Sequence, residues 1–235
     1  MNSNVASGPH DSANLKPTYV FEMPVRIWHW LHTFSFLVLA ATGYLIANPL
    51  PSLAGEASDH FLMGNIRLIH FISAYVFAIG FAVRVYWAFV GNRYAREVFY
   101  IPVWRSEWWK NLLYEIRFYF FLERKQRKQL GHNELAQVAM FFTNTLMTFF
   151  MIITGFALYG AGLGEGSWAD SLFGWVIAML GGNEATHNWH NMGMWIMLFF
   201  VIVHIYMAVR ADIIGRQSSI STIIGGWRMF KDDQP

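Results

Sequence analysis

The sequence predicts an all-α membrane protein, a bundle of four transmembrane helices with both termini on the cytoplasmic side. Three observations carry this: four long apolar segments without Asp or Glu, Lys and Arg confined to alternate connections, and a charge content too low for a water-facing surface. Of 235 residues, 14% are charged and 55% hydrophobic, whereas an ordinary soluble domain carries roughly 25% charged residues. Aromatic side chains make up 18% and the mean hydropathy is positive. Such bulk suits both lipid contact and packing around a large planar ligand.

The spans fall at about 27–47, 66–90, 135–160 and 189–209, each near the roughly 20 residues that cross a hydrocarbon core. Residues 1–20 are polar, with Lys16 their only Lys or Arg, so the first span is expected to serve as an uncleaved insertion signal. A further apolar stretch, 171–180, is too short to cross and reads as an interfacial or external helix.

Loop charge sets the orientation. The connection 91–134 carries Arg93, Arg96, Arg105, Lys110, Arg117, Arg124, Lys125, Arg127 and Lys128. The C-terminal tail adds Arg210, Arg216, Arg228 and Lys231, and Lys16 and Arg26 precede the first span. The connections 48–65 and 161–186 contain no Lys or Arg, only Glu56, Asp59, Glu165, Asp170 and Glu184. Positive charge stays inside, so both termini and loop 91–134 are expected in the cytoplasm. The net charge of +2 then reflects topology and gives no reason to expect a nucleic-acid partner. Within that loop, Trp108, Leu112, Ile116, Tyr119 and Phe120 recur at helical spacing and predict an amphipathic helix at about 106–125, on the membrane surface or against an extramembrane partner.

The absence of cysteine excludes disulfides, thiolate zinc sites, cysteine-ligated iron–sulfur clusters and covalent haem attachment. Any metal must use other ligands, and nine histidines are available. His29 and His32 lie in the first span, His70 in the second, and His190 and His204 in the fourth, with His187 just ahead of it. His190 and His204 are 14 residues apart, which puts them within about 40° on one helix face and roughly 21 Å apart along the axis. With the expected orientation, His70 and His190 share the outer depth, while His29 or His32 shares the inner depth with His204. A pair of neutral imidazoles from facing helices is what bis-histidine ligation of a b haem requires. Two pairs would make a two-haem wire across the bilayer.

Gly43 follows His29 by 14 residues and would let a macrocycle approach the backbone at the outer pair, although a glycine at a tight helix contact is as common. Arg84, 14 residues after His70, and Arg67, one turn outside it, could pair with haem propionates or snorkel to the interfaces. A haem-free transporter is the competing reading. It is disfavoured because proton and cation pathways usually employ intramembrane carboxylates.

The runs Arg26-Ile27-Trp28-His29-Trp30, Ile66-Arg67-Leu68-Ile69-His70, Tyr86-Trp87-Ala88-Phe89-Val90-Gly91-Asn92-Arg93-Tyr94, His187-Asn188-Trp189-His190 and His204-Ile205-Tyr206-Met207-Ala208 resemble the b-type cytochrome subunit of membrane-bound nickel–iron hydrogenases, within a dihaem cytochrome b561-like family. The resemblance runs from about Tyr19 to Trp227. It implies one membrane cytochrome b domain over 1–235 in the bacterial inner membrane, with two haem b groups and the iron ligands His70 with His190 outside and His29 with His204 inside. It also assigns the inner ligand to His29 and leaves His32 as its neighbour. The implied partners are the periplasmic small and large hydrogenase subunits, with iron–sulfur clusters feeding the outer haem and the inner haem passing electrons to menaquinone or ubiquinone. The chain would then be an electron-transfer subunit of a hydrogen:quinone oxidoreductase, without hydrogen chemistry of its own. The alternative is the cytochrome b subunit of another extracytoplasmic dehydrogenase, such as formate dehydrogenase.

Overall fold

The structure, a computed structural model, describes residues 17–51, 55–56, 60–124 and 127–230. His10, Lys16, Asp59, Lys125 and Lys231 lie outside the described residues. In chain order the elements are β1 (Thr18–Tyr19), α1 (Met23–Ala47), α2 (Leu62–Val90), α3 (Arg93–Arg96), a 3-10 turn (Glu97–Phe99), α4 (Ser106–Tyr119), α5 (Glu134–Ala139), a π-helical turn (Met140–Leu146), α6 (Met147–Leu163), α7 (Trp168–Met179), α8 (Asn183–Ile213), α9 (Ser219–Gly225) and β2 (Trp227–Arg228).

Four helical stretches are long and apolar enough to cross a membrane: Met23–Ala47, Leu62–Val90, Glu134–Leu163 and Asn183–Ile213. Each extends beyond the predicted span at one or both ends, because helix caps and not hydrophobicity set the termini. Pro24 occupies the first turn of α1, where its missing N–H would have no intrahelical partner anyway. Asn133 caps α5 by accepting from the Ala136 N–H at 2.7 Å. Gly182, at φ +106°, makes the left-handed step just before α8. The third span is not a uniform α-helix, since its π-helical turn separates α5 from α6.

The chain divides into two compact units. Of the described residues, the first comprises those within 17–26, 88–141 and 202–230, and the second those within 27–87 and 142–201.

In the first unit, β1 and β2 pair antiparallel, Thr18 opposite Arg228 and Tyr19 opposite Trp227. Asn92 joins two segments: its amide donates to the Val20 carbonyl at 2.8 Å and its backbone N–H to Glu22 Oε2 at 2.9 Å. Helix α4 buries Trp108, Leu112, Glu115 and Phe118. This face is rotated from the expected one, for Phe120 is exposed and Glu115, which is not part of the expected apolar stripe, is fully buried. The Asn133 amide donates to Glu115 at 3.1 Å, which makes that burial tolerable. The helix also stops at Tyr119, short of 125, as Phe121 takes a left-handed φ of +62°.

Several cations expected to mark topology are structural fasteners. Arg210 donates to the Phe118 carbonyl and to the Tyr206 hydroxyl, both at 2.9 Å, and its guanidinium lies over the Phe121 ring at 4.2 Å. Arg228 donates to the Gln129 and Gly131 carbonyls and to Ser219. Burial holds its guanidinium below the usual arginine value, with Asp212 and Glu97 opposing the shift.

In the second unit, Phe36, Ala40, Phe77, Met194 and Met197 form the buried core. Helix α7 returns along α6, with Ala157 and Ala169 fully buried and Phe156 stacked on Phe173 at 5.4 Å. Ser167 caps α7 by accepting from the Asp170 N–H at 3.3 Å. The two helices approach so closely at Gly160 that an added Cβ would lie 2.5 Å from the Asp170 backbone nitrogen. Gly160→Val should therefore cost about 1–3 kcal/mol by overpacking. The check is a lower thermal denaturation midpoint in detergent, and an unchanged midpoint would contradict this account of the α6–α7 contact.

Candidate functional site

Within the second unit, an apolar cavity of about 670 Å³ lies among α1, α2, α6 and α8, a volume in the usual range for cofactor and ligand sites. His70 and His190 both line it, together with Gly43, Gly155, Arg67 and His187.

The two imidazoles are held in the same way by different helices. His70, on α2, has Nδ1 at 2.8 Å from the Thr42 hydroxyl of α1, and a Cβ added at the neighbouring Gly43 would meet the ring's Cε1 at 3.3 Å. His190, on α8, has Nδ1 at 2.7 Å from the Thr154 hydroxyl of α6, and a Cβ at Gly155 would meet its Cε1 at 3.3 Å. A Thr-Gly pair, adjacent in sequence and so about 100° apart around its helix, thus grips one edge of each ring. The threonine supplies a polar contact and the glycine the clearance.

Four of the predicted residues, Gly43, Arg67, His70 and His190, line this one cavity. His187 lines it too, but its side is exposed. Thr42, Thr154 and Gly155 escaped the sequence reading. The available signal was the recurrence of the Thr-Gly dipeptide in the first and third spans, which separations between histidines do not register. Of the other predicted residues, His29 is half-buried on α1 with its ring edge-on to Trp30 at 5.2 Å. His29 belongs to the second unit, whereas His204 is half-buried on the part of α8 in the first. Arg84 is 2% exposed, its guanidinium 5.3 Å from the Trp28 ring centre, so it is an internal cation held on an aromatic face and not one reaching for the interface. His32 is buried between aromatic rings, with centroids 4.1 Å from Phe77 and 4.8 Å from Trp28. Neither of its ring nitrogens has a hydrogen-bond partner among the described residues.

Four apolar helices around a histidine-lined apolar cavity define the class, a multi-pass membrane protein with an internal cavity. The chain belongs to the prokaryotic cytochrome b561 family, whose profile matches residues 20–226. It is 57% identical over 217 residues to a protein of Azotobacter chroococcum mcd 1 named as probable Ni/Fe-hydrogenase B-type cytochrome subunit, covering 92% of this chain and 90% of the relative. The relative of that name from Bradyrhizobium diazoefficiens is 56% identical over 218 residues, 92% of this chain and 88% of the relative. The probable Ni/Fe-hydrogenase 1 B-type cytochrome subunit of Escherichia coli K12 is 50% identical over 224 residues, 94% of each chain.

Membership in a b-type cytochrome family implies haem b, and the residues of the cavity fit it. Among the described residues no group of three or more His, Asp or Glu could hold a bare metal ion. Two imidazoles suffice only for an iron whose remaining positions are filled by a macrocycle. The glycines at 43 and 155 keep bulk away from both rings, and the lining between them is apolar.

Because the nitrogens of His32 are unsatisfied, His32→Phe should leave the haem content unchanged and leave stability equal or raised, as removing an unpaired buried polar group relieves a cost of about 1–3 kcal/mol. Haem quantitation and a thermal melt test this, and loss of haem would make His32 a ligand.

Proposed function

We propose that this chain is the membrane anchor and electron-transfer subunit of a respiratory nickel–iron hydrogenase, holding two b haems between the enzyme's iron–sulfur clusters and membrane quinone. The observation that carries the proposal is the matched pair of threonine-held imidazoles, His70 and His190, on one apolar cavity. The hydrogenase partner is supported by relatives at 50–57% identity that bear that name over nearly the whole chain, which favours it over a formate dehydrogenase.

In this reading His70 and His190 ligate the haem on the periplasmic side, next to the small and large hydrogenase subunits. His29 and His204 ligate the one on the cytoplasmic side, where menaquinone or ubiquinone is reduced. Bound haem supplies reversible one-electron exchange at its iron. The protein contributes neutral imidazoles, an apolar surround that excludes water, and cations for the propionates: Arg67 on the wall of the outer cavity, and Arg84 toward the inner haem. Both termini and loop 91–134 face the cytoplasm of a bacterial inner membrane, because the Lys and Arg of the chain are concentrated there.

The purified complex should yield two haem b per chain in a pyridine haemochrome count. His190→Ala and His204→Ala should each lose one haem and block quinone reduction by hydrogen, while hydrogen oxidation with an artificial dye persists. Two haems and full quinone coupling in both variants would defeat the ligand assignment. For the orientation, a reporter active only outside the cytoplasm should work when fused at 164–166 and stay silent at the C-terminus; the reverse pattern would invert the topology.

A further inference from the structure

Each threonine at the outer pair has only one proton to give, and its own helix takes it. Thr42 Oγ1 donates to the Val38 carbonyl at 2.6 Å, with the Leu39 carbonyl at 3.3 Å. Thr154 Oγ1 donates to the Phe150 carbonyl at 2.8 Å, with the Met151 carbonyl at 3.4 Å. A hydroxyl whose proton is committed can meet a ring nitrogen only as an acceptor. Nδ1 of His70 and of His190 must therefore carry the proton, and in a neutral imidazole that leaves the lone pair on Nε2.

We propose that Thr42 and Thr154 are positioning residues that fix the tautomer and rotation of His70 and His190, so that both rings offer Nε2 to one iron, and that they set the reduction potential of the haem held there. This rests on the haem assignment of the preceding subsection. Three independent features point the same way. The same contact occurs twice, at 2.8 and 2.7 Å, from two different helices. In both, the next residue is a glycine whose missing side chain leaves room for the ring. Thr154 is 1% and Thr42 8% exposed, so bulk water does not reach either contact; at His70 the Leu39 backbone is a second hydrogen-bond partner, so the larger effect is expected at Thr154.

The electronic consequence has a sign. A hydrogen bond accepted from Nδ1–H makes the imidazole a stronger donor at Nε2, which favours the more positively charged ferric iron. Removing the acceptor should weaken that preference and raise the potential. A tenfold change in the ratio of ferric to ferrous affinity appears as about 59 mV for one electron.

The test uses the intact complex and four variants: Thr42→Val and Thr154→Val, which keep the shape and lose the hydroxyl, and Thr42→Ser and Thr154→Ser, which keep the hydroxyl. The readouts are haem content, redox titration of each haem, and the low-temperature EPR spectrum of the ferric state. The expected result is one haem moved to higher potential with an altered EPR signal in the Val variants, the other haem unmoved, and restoration in the Ser variants. Loss of one haem in Val but not in Ser would support the same role through anchoring. Unchanged potential and EPR in both Val variants would overturn the proposal, and so would equal effects of Val and Ser, which would mark the positions as packing only. Failure of the underlying assignment is read separately, from His190→Ala: if that variant keeps two haems, the pair is not a haem site at all.

Discussion

A polar group inside an apolar bundle has to be satisfied by the bundle itself, because lipid offers neither donors nor acceptors. The cavity of the second unit shows how two histidines meet this constraint. A free imidazole between apolar helices could turn about its side-chain bonds or exchange its two tautomers. Here the hydroxyls of Thr42 and Thr154, which also bond the carbonyls of their own helices, meet Nδ1 of each ring, and the backbone of Leu39 gives His70 a further hydrogen bond. The glycine that follows each threonine makes the approach possible. The helix pairing is thereby written into the site: α1 serves the histidine of α2, and α6 serves the histidine of α8.

The same constraint governs the charged residues. In the first unit, Arg210 and Arg228 bond backbone carbonyls and lie buried, so the donors of Arg210 fasten α8 to the last turn of α4 and those of Arg228 fasten β2 to the loop at Gln129 and Gly131. Arg84 is buried against Trp28. Its apolar stem and planar head suit a position where a lysine ammonium would be harder to shelter. Glu115 is the acidic counterpart, fully buried and met by Asn133. The second unit keeps its cavity open by contrast, through small residues and a methionine-rich core that conforms to irregular space.

Much of this architecture was readable as pattern. Long stretches without carboxylates located the four apolar helices, and the short apolar stretch after Asp170 falls within α7. Fourteen-residue steps from known histidines singled out Gly43, and depth matched His70 with His190, both of which line one cavity. What pattern missed was local and polar. Capping by Asn133 and the left-handed glycine at 182 moved the helix ends outward. The buried face of α4 turned toward Glu115 and Phe118 because Asn133 supplies a bond to that carboxylate. The repeated Thr-Gly dipeptide did not by itself mark Thr42 and Thr154 as partners of the histidines, because a threonine in a membrane helix commonly bonds only its own backbone, and the spacing of one helix carries no record of what a neighbouring helix brings to it.

The sequence by itself determined the class of protein and the number of membrane-length helices, since hydrophobic length and the 3.6-residue period are one-dimensional properties of the chain. Only the tertiary structure decided which ring nitrogen is bonded, which glycine clears which ring, and which cations are fasteners. Those depend on distances of a few ångströms between separate helices, and a hydrogen bond or a steric contact changes sign over less than one ångström.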